Sequence, residues 1–150
     1  MNFTKTERLK RSEMGYKVNT VWKEKMAFES QLGNHVVRMD TTPELGDDSG
    51  ASPKQLLLAG LAGCTGMDVV SLLNKMRVPF TNFEMDIEAD LTEEHPMVFS
   101  EIRLVYKFFG KDLDTTKVEK AVKLSQDKYC GVSAMLKKNS PIEYSIEYAD

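Results

Sequence analysis

Hydrophobic and polar residues alternate in several short stretches of the chain, and this period of two is typical of half-buried β-strands. Three of these stretches fall between residues 14 and 40, where Leu32-Gly33-Asn34 has the composition of a turn. Two more cover residues 82–90 and 98–109, and a last one covers residues 142–148. The pattern predicts three antiparallel strands at the start of the chain and three more strands later.

An apolar segment between the two groups of strands predicts a long helix from Pro53 to about Arg77. Its start is sharply marked, because Ser52 and Gln55 have the spacing of a capping box and proline suits the first helical position. The middle of the segment is apolar on almost every side. Such a helix is expected to be buried on several sides.

A second helix is predicted from about residue 114 to Lys138, because apolar residues return there at steps of three and four. Thr116 and Glu119 have the spacing of another capping box. The predicted element order is therefore βββ-α-ββ-α-β. This order indicates an α+β fold in which a sheet covers a central apolar helix, with residues 1–150 forming a single domain.

Composition and charge exclude several classes of protein. The net charge of −3 provides no overall basic field that would attract nucleic acid. Residues 1–13 are polar and charged, which predicts a mobile or edge element and does not fit a secretory signal. The longest apolar run, residues 56–62, is too short to cross a bilayer. We therefore expect a cytoplasmic protein with no nucleic-acid or membrane partner.

The chain has two cysteines, and each lies in a predicted helix beside a glycine. Cys64 is flanked by Gly63 and Gly66, and Cys130 is followed by Gly131. A glycine costs a helix about 1 kcal/mol relative to alanine, so these positions favour a close approach of another element or open space near the sulfur. The thiols are either small core residues or a redox pair in which one attacks an oxidant and the other resolves the product.

Two further groups bear on this chemistry. Asp68 follows Cys64 by four residues, so it shares a helix face with the thiol, would raise its pKa and is expected to pair with a lysine or arginine. A metal site built from the cysteines with His35 and His95 is not expected, because none of these residues has the short spacing typical of zinc sites.

Two segments resemble the OsmC/Ohr family of thiol peroxidases, most closely its YhfA-like branch. They are Ser-Pro-Lys-Gln-Leu-Leu-Leu-Ala-Gly-Leu-Ala-Gly-Cys at residues 52–64 and Leu-Ser-Gln-Asp-Lys-Tyr-Cys-Gly-Val-Ser at residues 124–133. The resemblance extends over nearly the whole chain. It implies an intertwined OsmC-like homodimer that reduces small organic hydroperoxides without a bound cofactor. It further implies that Cys64 is the peroxidatic thiol, that Cys130 is the resolving thiol, and that a dithiol or lipoyl-type reductant regenerates them.

The chain departs from the family pattern at Lys54, where well-studied members carry a glutamate that holds an arginine over the thiolate. The resemblance places that arginine in or after the N-terminal strands, which makes Arg38 the candidate for this catalytic role. Without the glutamate, peroxidase activity is expected to be weak or altered. The alternative is a non-enzymatic dimer of the same fold that binds a small apolar ligand or senses redox state.

Overall fold

A computed structural model describes residues 15–150, which divide into two units, one ending at Leu56 and the other spanning Leu57–Asp150. The predicted mobile or edge element at residues 1–13 lies outside the described residues. The assignment of residues 1–150 to a single domain stays a prediction.

The first unit contains the three predicted N-terminal strands, which form one antiparallel sheet in the order β1-β2-β3. They are β1 (Val18–Glu24), β2 (Ala27–Leu32) and β3 (His35–Met39). The predicted turn between β2 and β3 is confirmed, and its Gly33 has a φ of 61°, a conformation in which a side chain would be strained. The alternating pattern therefore predicted the strands, and the composition of residues 32–34 predicted the turn between β2 and β3.

Helix α1 (Pro53–Lys75) confirms the predicted long helix and its capping box. The backbone N–H of Ser52 donates to Gln55 Oε1 at 2.9 Å, and the backbone N–H of Gln55 donates to Ser52 Oγ at 3.3 Å. Within this chain α1 buries one stripe at steps of four residues, formed by Leu61, Thr65, Val69 and Leu73.

Residues 15–150 alone do not provide the expected burial of α1 on several sides, and part of its apolar surface stays uncovered by them. Leu57 is 51% exposed and Met67 is 76% exposed. In the described residues α1 alone has the length and mean hydropathy to cross a membrane, although the longest uninterrupted apolar run is short. Core helices of globular proteins meet the same criterion, so the match is weak evidence for a membrane span.

The second unit contains the other three strands in one sheet of order β4-β5-β6. Strands β4 (Asn82–Leu91) and β5 (Phe99–Phe109) are antiparallel, whereas β6 (Ile142–Ala149) runs parallel to β5. The core of this unit combines the buried stripe of α1 with inward residues of β5 and of the helix that follows it. Those additional residues are Ile102, Leu104, Tyr106, Phe108, Val118, Ala121 and Val122.

The predicted second helix is not continuous. It consists of α2 (Thr115–Leu124), a π-helical turn (Ser125–Tyr129) and α3 (Gly131–Leu136). The predicted capping box at Thr116 is wrong, because Asp114 is the N-cap and its carboxylate accepts the N–H of Lys117 at 3.1 Å. The α+β class and the order of strands and helices are otherwise confirmed.

Candidate functional site

The fold brings together two cysteines that are far apart in sequence. Cys64 is partly buried on α1, and Cys130 is 3% exposed at the start of α3. Both are free thiols, and their Sγ atoms lie within 4.8 Å of each other and of a carboxylate oxygen of Asp68. The two predicted site cysteines therefore share one site, and these three side chains are the ones there that could hold a metal ion.

The π-helical turn sets the position of Cys130. The backbone N–H of Cys130 donates to the carbonyl of Ser125 at 2.9 Å, and Cys130 then leaves the helix with φ −72° and ψ 100°. Its Sγ accepts the N–H of Ser133 at 3.3 Å. The expectation that Cys130 lies in mid-helix is therefore wrong: it caps a new helix.

The glycines beside the thiols face open space in the described chain and do not mark close packing against it. A Cβ atom added at Gly60, Gly63 or Gly131 would have no heavy atom within 4 Å. One added at Gly66 would make ordinary contacts with Met85 and Phe83. Of the two expectations for these glycines, open space near the sulfur is the one that fits this chain.

Burial raises the pKa of the Cys64 thiol above its ordinary value. The backbone N–H of Val132 opposes this effect, whereas Cys130 and the negative charge of Asp68 add to it. The predicted direction of the Asp68 effect is thus confirmed. Because the thiolate is the reactive form of cysteine, the second unit by itself keeps Cys64 in its less reactive, protonated form.

The described part of the chain, residues 15–150, does not supply the lysine or arginine partner that was expected for Asp68. Within residues 15–150, no lysine or arginine nitrogen lies within 4.0 Å of its carboxylate. Instead Asp68 Oδ2 accepts a hydrogen bond from Ser125 Oγ at 3.0 Å. The acid is therefore held by a hydroxyl of the π-helical turn.

That hydroxyl belongs to a buried chain of hydrogen bonds with a defined direction. Gln126 Nε2 donates to Tyr106 OH at 2.7 Å, Tyr106 OH lies 2.7 Å from Thr65 Oγ1, and Thr65 Oγ1 lies 2.8 Å from Ser125 Oγ. The amide nitrogen can only donate and the carboxylate of Asp68 can only accept, so each hydroxyl proton points toward Asp68. This series of hydrogen bonds joins α1, β5 and the π-helical turn.

Sequence reasoning missed this network because its members are distant in sequence and each has an ordinary local role. Thr65 and Ser125 are fully buried, and burial raises the pKa of Tyr106, against the hydrogen bonds of Thr65 and Gln126. One signal for the network was available in the sequence: Thr65 is a polar residue within the otherwise apolar buried stripe of α1.

Arg38, the predicted activating cation, lies on β3 in the first unit. Its Nη1 donates to Glu29 Oε1 at 3.0 Å and its Nε donates to Ser49 Oγ at 2.8 Å. Lys23 and Arg38 together lower the pKa of Glu29. Lys54 is exposed in the first turn of α1. The guanidinium is thus engaged within its own unit, and its role toward Cys64 stays a prediction.

An apolar groove of about 770 Å³ runs along α1 between Ala62 and Asn74. Gly63, Gly66 and Met67 line it from the helix, and Phe83 and Met85 line it from β4. Its size lies within the range of small-molecule sites. The groove offers apolar surface on α1, although neither cysteine lines it.

Comparisons with known proteins identify the family to which the sequence is similar. Residues 46–145 match the family described as OsmC-like protein. Protein YhfA of Escherichia coli is 37% identical over 128 residues, which cover 84% of this chain and 92% of that protein.

Solved structures share the fold. A hypothetical protein from Aquifex aeolicus is 27% identical with a TM-score of 0.78, covering 91% of this chain and 98% of that one. The organic hydroperoxide resistance protein OhrB of Bacillus subtilis is 20% identical with a TM-score of 0.66, covering 90% of this chain and 99% of that one.

Proposed function

The chain belongs to the OsmC-like family, and from that membership we propose that it is a thiol peroxidase that reduces small organic hydroperoxides. The observation that carries the proposal is the pair of free thiols whose Sγ atoms lie within 4.8 Å of each other. The name of the Bacillus subtilis protein of the same fold, an organic hydroperoxide resistance protein, supports the substrate class.

The proposed reaction has three balanced steps. The thiolate of Cys64 attacks the terminal oxygen of ROOH, the O–O bond breaks, and the leaving alkoxide takes a proton to give an alcohol. The thiol of Cys130 then attacks the sulfur of the Cys64 sulfenic acid, which forms a disulfide and releases water. An external dithiol or lipoyl-type reductant reduces the disulfide and is itself oxidised to a disulfide.

The exposure of the two thiols supports this order. Cys64 is the more accessible sulfur, whereas Cys130 is 3% exposed and its sulfur accepts the N–H of Ser133. A disulfide requires an S–S distance of about 2.0 Å, so the sulfurs must move closer during the second step. The extended conformation of Cys130 between two helical segments allows its side chain to move without unwinding a regular helix.

Activation of Cys64 needs a positive charge, because burial and Asp68 raise its pKa. The proposal assigns this charge to Arg38 on the basis of the family resemblance. With Lys54 at the family glutamate position, the arginine relies on Glu29 and Ser49 for its orientation. We therefore expect activity to increase with pH as more Cys64 ionises.

Peroxide consumption with an excess of dithiol tests the proposal in wild type, Cys64→Ser and Cys130→Ser. We expect Cys64→Ser to consume cumene hydroperoxide at the uncatalysed rate. In a parallel reaction without dithiol, Cys130→Ser should consume one equivalent of peroxide, accumulate the sulfenic acid and then be over-oxidised by further peroxide. If wild type is no faster than Cys64→Ser, the protein is not a peroxidase of this kind.

We also propose that the protein is a homodimer, because α1 leaves apolar surface exposed in the single chain. Leu57 and Met67 are exposed, and Gly60 and Gly63 have free space around them. Exposed apolar surface of this kind marks an interaction site. Analytical ultracentrifugation of wild type should give twice the chain mass, and Met67→Lys should shift the protein toward monomer. A monomeric wild type would contradict the dimer.

A second candidate function is the non-enzymatic one, in which the protein binds a small apolar ligand. The apolar groove between α1 and β4 and the raised pKa of Cys64 favour it. Equilibrium binding of an apolar fluorescent probe to Cys64→Ser separates the two functions, since binding needs no thiol. Probe binding that is lost in Met67→Lys, together with no peroxide consumption by wild type, would favour the ligand-binding function.

A further inference from the structure

We propose that the reduced protein binds one zinc ion through Cys64, Cys130 and Asp68. This activity is separate from peroxide reduction and needs no oxidant. The two thiols and the carboxylate already lie close together in the structure.

The spacing of the three groups fits a zinc site. Zn–S bonds are about 2.3 Å and Zn–O bonds about 2.0–2.2 Å, so neighbouring ligand atoms of a tetrahedral site lie about 3.5–3.8 Å apart. The two Sγ atoms and the Asp68 oxygen all lie within 4.8 Å of one another. A contraction of at most about 1.3 Å would therefore complete three corners of the tetrahedron. The fourth corner is left for water, as in zinc sites with an open position.

The chemistry of the donors selects the metal. Two thiolates and one carboxylate suit zinc, which accepts sulfur and oxygen together, whereas magnesium and calcium prefer oxygen donors alone. Binding replaces the two thiol protons with one doubly charged cation. It would also neutralise most of the negative charge that two thiolates and Asp68 would bring together at this site.

The surroundings of the ligands provide the support that metal sites require. Ligating groups are normally held by hydrogen bonds from a second set of residues. Here Ser125 Oγ donates to Asp68 at the end of the buried chain of hydroxyls, and the N–H of Ser133 donates to Cys130 Sγ. Both residues are fully buried. The carboxylate and the second sulfur are thus positioned before any metal arrives.

The spacing of the ligands explains why sequence patterns did not indicate this site. Cys64 and Asp68 are one helical turn apart on α1, but the third ligand follows only after two strands, α2 and the π-helical turn. Neither His35 nor His95 takes part in the cluster.

Zinc and a disulfide exclude each other, because both use the same two sulfurs. If the proposed peroxidase function holds, one hydroperoxide and two protons would convert the zinc-bound dithiolate into a disulfide, an alcohol, water and free Zn²⁺. Zinc would then protect the reduced thiols and be released on oxidation. Zinc binding itself does not depend on this coupling.

Zinc titration of the reduced protein against a chromophoric chelator, without oxygen or peroxide, tests the site. We expect one zinc ion per chain. Cys64→Ser and Cys130→Ser should each weaken binding more than about 100-fold, Asp68→Asn about 10- to 100-fold and Ser125→Ala about 10-fold. Cobalt should give thiolate-to-metal charge-transfer absorption that each cysteine variant reduces.

Asp127→Asn is the matched control, because Asp127 is an exposed acid paired with Lys123. It should bind zinc as wild type does. Asp68→Asn keeps the shape of the side chain, and circular dichroism checks that it is folded. Equal zinc affinity in wild type and Cys64→Ser would show that zinc does not bind at this site. Unchanged affinity in folded Asp68→Asn would overturn the three-ligand arrangement.

Discussion

The two segments that carry the cysteines differ in regularity. Cys64 lies within α1, a helix of 23 residues with a capping box and a buried stripe at steps of four. Cys130 lies where a π-helical turn ends and a short helix begins. The regular segment provides a fixed platform, and the irregular one turns the second sulfur toward it. Single π turns often occur at functional sites.

Contacts between the two segments explain the irregularity. In the π-helical turn, consecutive residues Ser125 and Gln126 are both buried, and both bond to Thr65 of α1. Gln126 also bonds to Tyr106 of β5. The wider turn lets two neighbouring side chains reach the same buried threonine. The Thr65 hydroxyl is thus the feature that links the regular segment to the irregular one.

The largest effect is expected from Thr65→Val, which keeps the shape of the side chain but removes the linking hydroxyl. Tyr106 and Ser125 would each lose a buried partner, so unfolding free energy should fall by about 1–3 kcal/mol. Denaturant unfolding measures the loss. Thr116→Val, at an exposed position of α2, should change stability by less than about 0.5 kcal/mol. Equal effects of the two variants would show that the link is not stabilising.

A smaller effect separates the observed cap of α2 from the predicted one. Asp114→Ala removes the carboxylate that accepts the N–H of Lys117, and we expect it to lower Tm by about 2–4 °C. Thr116→Ala should leave Tm nearly unchanged. Thermal unfolding followed by circular dichroism compares the two. A larger decrease for Thr116→Ala would mean that the helix begins at the predicted box.

The smallest effect concerns the charge beside Cys64. The negative charge of Asp68 raises the pKa of Cys64, so Asp68→Asn should move the pH profile of Cys64 alkylation to lower pH. Burial also raises the pKa of Cys64 in the folded state. The protonated thiol therefore stabilises the folded state below the unfolded-state pKa of 9.0, and this stabilisation is lost as the pH rises through the folded-state pKa.

The alkylation should be measured in the Cys130→Ser background, so that Cys64 is the one thiol that reacts. A chelator should be present so that no metal ion holds this thiol. Asp127→Asn serves again as the matched control and should leave the profile in place. A profile that Asp68→Asn does not move would show that the carboxylate has no electrostatic effect on the thiol.

The same contrast between the segments explains what the sequence could predict. The strands and α1 follow from local signals, namely alternation and the Ser52–Gln55 box, and the structure confirms them. The break before Cys130 depends on hydrogen bonds between residues 60 positions apart, as between Thr65 and Ser125. Periodicity at steps of three and four continues through such a break, so the pattern indicated one helix. The hydrogen bond from Ser125 to Asp68 was missed for the same reason, because these two residues are also far apart in sequence.

The central claim is that the two segments form one redox site, and disulfide mapping tests it most directly. Reduced protein would receive one molar equivalent of cumene hydroperoxide, then be alkylated under denaturing conditions, digested and examined by mass spectrometry. We expect an intramolecular disulfide between Cys64 and Cys130 in wild type and a sulfenic or over-oxidised Cys64 in Cys130→Ser. Recovery of both cysteines as alkylated thiols in wild type would contradict the claim.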